Sequence, residues 1–137
     1  MKTVLAHGCF DVLHIGHIRL LKYARSLGDE LVVSLLADKY VRLYKGEGRP
    51  VNTLNVRIEQ MRELRSVDRV VVVDGPGHES VQAVIAHVMP SVYVKGQDCL
   101  GKVPELTFLQ SLGVEIEFMP VVCNDNGKLS STALMAA

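Results

Sequence analysis

Five short β-branched runs recur along this chain, each separated from the next by residues with helical spacing. The runs are TVLAH from Thr3, ELVVSLLA from Glu30, RVVVVD from Arg69, SVYVKG from Ser91 and VEIEFMP from Val114. They are apolar almost without interruption, the pattern of parallel strands covered on both faces rather than of strands with one wet side. Between them IRLLKYARSL, LNVRIEQMRELRSV, ESVQAVIAHVM and PELTFLQSL repeat apolar residues every three or four positions. In the first of these, Ile18, Leu21, Ala24 and Leu27 share a face, while Arg19, Lys22 and Arg25 lie away from it. Strand and helix in alternation predict a doubly wound α/β fold: a five-stranded, mainly parallel sheet with right-handed crossovers and helices on both faces. With 137 residues at 48% hydrophobic, the expectation is one domain spanning 1–137.

Charge narrows the choice of partners. Fifteen basic and fifteen acidic residues give a formal net charge of zero, so no global field draws the chain to nucleic acid or to an anionic membrane. Neither is expected as a partner, and any anion site must be local. Cys9, Cys99 and Cys123 form no C-x-x-C pair and are odd in number, against a disulfide framework or a zinc knuckle and in keeping with a reducing cytoplasm. The opening MKTVLAHGCF is too briefly apolar for a signal peptide, and no apolar run reaches membrane-spanning length. Two long polar loops, YKGEGRPVN around residue 48 and CNDNGK around residue 125, are the places to look for function.

The stretch GCFDVLHIGH sits where the first strand meets the first helix. Gly8 to Asp11 make the turn and the helix starts near His14 or Ile15, which puts both histidines at a helix N-terminus beyond a strand's carboxyl end. Open α/β sheets bind ligands there, and unpaired helix N–H groups favour anions. His14 and His17, three residues apart, share a face, and Gly16 removes a side chain where a phosphate would approach. Three uses of the pair are open. Zinc would need a third ligand, and neither Asp11 nor Cys9 stands at a recognised spacing; one imidazole could cap the helix while the other packs in the core; or both could donate N–H to phosphate oxygens, a protonated ring adding charge in a transition state. The position favours phosphate.

GCFDVLHIGH resembles the signature of the nucleotidyltransferase superfamily that shares an H-x-G-H element with class I aminoacyl-tRNA synthetases, built on a Rossmann-like sheet. Leu129-Ser130-Ser131-Thr132 is similar to the second signature of these enzymes, at the start of the last helix. The resemblance implies that Gly8, Cys9, Phe10, Asp11 and Gly16, with Ser130, Ser131 and Thr132, bind the nucleotide. Cys9 stands where threonine or valine is more usual, and its own chemistry reads as packing. The stretch DKYVRLYKGEGRPVNTLNVR, from Asp38 to Arg57, resembles without a gap the loop of the heptose 1-phosphate adenylyltransferases. Physically, Lys45, Arg49 and Arg57 are three cations on or just beyond a Gly-rich loop that would close over a triphosphate, and Asn52 or Thr53 would start the following helix.

That likeness implies His14, His17, Lys45 and Arg57 as catalytic groups. Asp38, Arg49, Lys95, Gly96 and Asp98 would line the substrate or base pocket, the last three through VYVKGQDCLGK, where Gln97 and Cys99 depart from the heptose pattern. The implied reaction moves a nucleoside monophosphate from ATP to a sugar 1-phosphate and releases pyrophosphate. Mg²⁺ would travel on the nucleotide phosphates, with Asp11 nearby through water and no metal held directly. A homodimer and a separate sugar kinase upstream are the implied partners. Two other readings stand beside it: a CTP-dependent glycerol 3-phosphate cytidylyltransferase, whose Arg-Thr pair before the Ser-Thr element is replaced here by Asp125-Asn126-Gly127-Lys128, and a nucleotide-binding sensor without catalysis.

Overall fold

The computed structural model describes residues 1–96, 105–119, 123–124 and 127–128. Strands β1 (Thr3–Gly8), β2 (Glu30–Leu36), β3 (Arg69–Val73), β4 (Val92–Gly96) and β5 (Glu115–Met119) form one sheet in the order β3-β2-β1-β4-β5. Every pairing in it is parallel, from Thr3 opposite Glu30 to Gly96 opposite Met119. A separate antiparallel ribbon joins β6 (Cys123–Asn124) to β7 (Gly127–Lys128), in the stretch expected to be a polar loop.

The apolar runs of the central strands β1, β2 and β4 are buried on both faces, whereas the edge strands β3 and β5 stay partly exposed. Val4, Leu5 and Ala6 are buried in succession, as are all residues from Leu31 to Leu36. On one face Val4, Ala6, Leu31, Val33, Val92 and Val94 pack with Leu21 and Ala24 of helix α1 (Ile15–Ser26) and Met61 of helix α3 (Leu54–Arg62). On the other, Leu5, Val32, Leu36 and Tyr93 pack with helices α2 (Asp38–Lys45), α4 (Gly77–Val88) and α5 (Leu106–Ser111) through Val41, Val81, Ile85 and Leu109. The expected face of α1 is the one that carries Leu21 and Ala24 into the core.

Two helical expectations change. The stretch read as one loop from Asp38 begins with α2, in which Tyr40, Val41, Leu43 and Tyr44 have helical spacing although only Val41 is buried. Helix α3 stops at Arg62 rather than continuing toward Val67, because the chain must turn for Asp68 to meet β2: the Asp68 carboxylate accepts from the Leu31 N–H at 2.8 Å and pairs with Arg25 at 2.9 Å.

The sheet order reverses between β1 and β4, so the carboxyl ends of these strands open onto the switch point where this architecture holds ligands. Behind it, at the opposite end of the sheet, the α1–β2 connection lies hard against the start of the chain. A β carbon on Gly28 would meet the Lys2 carbonyl oxygen at 2.7 Å and Val4 Cγ2 at 2.8 Å. Gly28→Ala is therefore expected to lower stability by about 1–3 kcal/mol through forced backbone displacement, read as an earlier denaturant midpoint; an unchanged midpoint would contradict the close approach.

Candidate active site

His14 is the N-cap of α1, with extended backbone, and its Nδ1 accepts the Gly16 N–H at 3.0 Å. His17 reciprocates: its Nδ1 accepts the His14 N–H at 3.4 Å, a capping box made of two imidazoles. The rings stack with centroids 3.8 Å apart and planes 24° apart. An Nδ1 that accepts carries no proton, so each neutral ring has its hydrogen on Nε2. Capping therefore engages Nδ1 of both rings and leaves each Nε2–H outside the cap. Burial lowers the pKa of both rings, and for His17 the neighbouring His14 and the Lys45 charge carry it down to about 4. Both imidazoles are neutral donors at pH 7 in the free protein, not the charged rings that a transition-state role would use.

The turn before them is under strain. Phe10 is buried and has φ of 47°, in the left-handed region that costs a non-glycine residue about 1–3 kcal/mol. Its ring lies edge-on to His17 at 5.2 Å and closes over Gly8, where a β carbon would meet the ring at 3.0 Å. Cys9 packs partly buried against the α4 side of the core, consistent with its packing role.

Asp11 does not face an approaching metal. It is 1% exposed, and its carboxylate accepts from Val51 N and Asn52 N at 2.8 Å each and from Arg49 Nε at 3.1 Å. Asn52 Nδ2 adds a bond to the Asp11 carbonyl at 2.7 Å. Burial alone would raise the Asp11 pKa, but the bonds from Asn52, Val51 and Arg49 outweigh it and hold the carboxyl below its ordinary value. The residue expected near Mg²⁺ through water is buried and uses three of its roughly four acceptor positions to latch the Arg49–Asn52 segment. Among the described residues no three His, Cys, Asp or Glu side chains gather to hold a metal ion.

Arg49 and Arg57 also depart from the open, phosphate-seeking cations expected of the loop. Arg49 is 8% exposed, locked to Asp11, with its Nη2 buried and unpartnered. Arg57 has no exposed surface. Its Nε donates to Asn52 O at 3.1 Å, its Nη1 to Cys9 O at 3.0 Å and Leu36 O at 2.8 Å, and its Nη2 to Asp38 Oδ1 at 2.7 Å. Asp38 is thereby engaged through Oδ1 at the first turn of α2. What is left of the mobile loop is narrow: Gly46 and Gly48 have φ of 98° and 84° with open space around them, whereas Arg49, Val51 and Asn52 are tied to Asp11. Lys45, exposed at the end of α2, is the loop cation whose charge is felt by His17.

Lys95 and Gly96 end β4 at the switch point, and Lys95 Nζ lies 3.8 Å from Glu105 Oε1. Asp98, Ser130, Ser131 and Thr132, with Gln97 and Cys99, lie outside the described residues. Sequence reasoning passed over Asn52 as a latch residue and missed Glu105, Tyr93, His7 and Ser34. Tyr93 donates to Glu105 Oε1 at 2.7 Å, and His7 Nδ1 lies 2.8 Å from Ser34 Oγ. The available signal was polar residues inside otherwise apolar runs, His7 in TVLAH and Ser34 in ELVVSLLA.

A parallel α/β sheet with a double-histidine capping box at its switch point defines a nucleotide-binding domain of the H-x-G-H class. The chain belongs to the cytidylyltransferase-like family, whose model matches residues 5–135. It is 43% identical over 135 residues to the bifunctional protein HldE of Streptomyces coelicolor, a match covering 98% of this chain and 28% of that protein. The chain thus spans little more than a quarter of that relative's length. A solved lipopolysaccharide core biosynthesis protein from Thermoplasma volcanium is 30% identical, with TM-score 0.72, covering 91% of this chain and 99% of that one. Pantothenate synthetase from Thermus thermophilus shares the fold at TM-score 0.71 and 21% identity, over 98% of this chain and 61% of that one. Among the described residues no helix is long and apolar enough to cross a membrane.

Two measurements follow. His7 and His17 each titrate at about 4 when folded against 6.5 unfolded, so between those values the unfolded chain binds more protons. Stability of the free protein is expected to be complete above pH 6.5 and to fall as pH drops toward 4; a denaturation series that is flat across this window would contradict the buried neutral rings. Separately, Arg57→Ala is expected to cost about 3–5 kcal/mol because Asp38 and three carbonyls lose their donor, and Arg57→Lys should not restore it, since an ammonium lacks the fork. A Lys variant of normal stability with only turnover reduced would return Arg57 to the role of phosphate clamp.

Proposed function

We propose that this chain transfers a nucleoside monophosphate from ATP to a sugar 1-phosphate. The observation that carries the reading is the stacked histidine pair, whose Nδ1 atoms are occupied by the helix cap and whose Nε2–H groups are left as donors beside the Lys45 charge. A phosphate oxygen of the sugar 1-phosphate forms the new bond to the α-phosphorus, the α–β bridging bond breaks, and its electron pair leaves with pyrophosphate. His14 and His17 donate to the triphosphate, and the incoming negative charge favours proton uptake by rings that are neutral without it. Lys45 neutralises the reacting phosphates, Ser130 to Thr132 hold the pyrophosphate end, and Asp11, Arg49 and Arg57 fix the turn and loop. Magnesium would travel on the nucleotide phosphates, since the Asp11 carboxylate is buried and already accepts three bonds from the latch.

ATP is favoured over CTP by the gapless likeness of Asp38 to Arg57 to the heptose loop, by the missing Arg-Thr pair, and by the kinship with HldE. Kinship to a lipopolysaccharide core biosynthesis protein supports a sugar acceptor. The reading includes a cytoplasmic, homodimeric enzyme whose sugar 1-phosphate is supplied by a sugar kinase.

A matrix of ATP and CTP against heptose 1-phosphate, other sugar 1-phosphates and glycerol 3-phosphate, with pyrophosphate release as readout, tests this. ATP with D-glycero-D-manno-heptose 1-phosphate is expected to exceed CTP by at least about tenfold, roughly 1.4 kcal/mol. His14→Ala or His17→Ala should lower kcat by about 100-fold or more with little change in ATP affinity. Activity confined to CTP with glycerol 3-phosphate would overturn the substrate choice, and silence in every combination would favour a sensor.

A further inference from the structure

Helix α2 is held at its start and in its middle, while Lys45 stands at its other end. Ala37 N donates to Val73 O at 2.9 Å and Asp38 pairs with Arg57, which fixes the first turn at the carboxyl ends of β2 and β3. Val41 is fully buried. After it Arg42, Leu43, Tyr44 and Lys45 are all exposed, so burial does not seat the last turn.

Among the described residues, the bond that ties this turn to another element comes from Tyr44. Its hydroxyl accepts the Gly77 N–H at the start of α4, a helix whose N-cap is Pro76 and which takes no cap from a side chain of its own. The α4 end is firm. Ser80 Oγ donates to Pro76 O at 2.9 Å, and Ser80 lies so close over the buried Gly75 that a β carbon there would collide with it. On the far side of Lys45 the chain has four peptide steps to Arg49, which is locked to Asp11 in the turn leading to the histidines. Neighbouring residues on a helix diverge by about 100° around its axis, so a last turn set by Tyr44 against α4 also sets the direction of Lys45. The Lys45 charge felt at His17 accords with that placement.

We propose that Tyr44 is a positioning residue for nucleotidyl transfer, its hydroxyl holding the last turn of α2 against α4 so that Lys45 is aimed at the reacting phosphates. This deepens the transfer reading and rests on it for the role of Lys45. A neutral hydrogen bond of this kind biases the held turn over the released one by roughly two- to tenfold, which sets the size of the effects.

Tyr44→Phe removes the hydroxyl and keeps the ring at an exposed position, so the fold is not at risk. Hydrogen exchange at the Gly46 amide, whose bond to Arg42 O at 2.8 Å closes α2, is expected to quicken by about fivefold, while the Met89 amide at the far end of α4 keeps its rate. Calorimetry with inorganic tripolyphosphate should show binding weakened by about threefold, with no further loss in a Lys45→Ala background. In the transfer assay kcat is expected to fall by about fivefold, more than KM for ATP rises, since a misdirected cation costs most where charge is redistributed. An unchanged Gly46 rate, a tripolyphosphate loss that persists without Lys45, or equal kcat in two active proteins would each overturn the proposal. Wild-type protein that transfers nothing while the Lys45-dependent tripolyphosphate loss stands would instead strike the reaction assigned above and leave the coupling of Tyr44 to Lys45 in place.

Discussion

One guanidinium holds the ligand end of this fold together. Arg57 sits on α3 yet bonds the backbone just after β1, the last residue of β2, the turn leading into its own helix and the carboxylate that opens α2. Carbonyls at strand ends have no ladder partner, and buried without a donor each would carry the desolvation cost of an unpaired polar group, about 1–3 kcal/mol. Arginine is the side chain whose planar fork can reach several such oxygens at once while staying charged. The turn after β1, the latch at Asp11 and the start of α2 all inherit their positions from it.

A second constraint follows from the first. With the turn fixed, the histidines can spend one nitrogen each on capping α1 and still offer the other, so local helix chemistry and ligand chemistry do not compete.

The architecture was legible because it depends on long-range averages: all five strands lie within a residue or two of the apolar runs, and His14 sits at the predicted helix start. The family likeness was legible for a similar reason, since it rests on contiguous stretches. What escaped was the fate of individual charges. Arg49 and Arg57 carry the same chemistry whether they face solvent or carbonyls, and only the fold decides which oxygens surround them. Helix α2 escaped because its residues lay inside a stretch read as a loop by likeness, although Tyr40, Val41, Leu43 and Tyr44 have helical spacing, and Glu105 because its partners Tyr93 and Lys95 lie ten or more residues before it in the chain.

The short run between Lys45 and Arg49 sets a mechanical limit on how the loop can act. Lys45 is anchored by its helix and Arg49 by Asp11, leaving Gly46, Glu47 and Gly48 as a tether whose full extension is about 13 Å over four peptide steps. A strap pinned at both posts cannot sweep open like a flap. It can only bow outward or flatten, and lengthening the strap by even two glycines would change the height of that bow before it changed anything in the core.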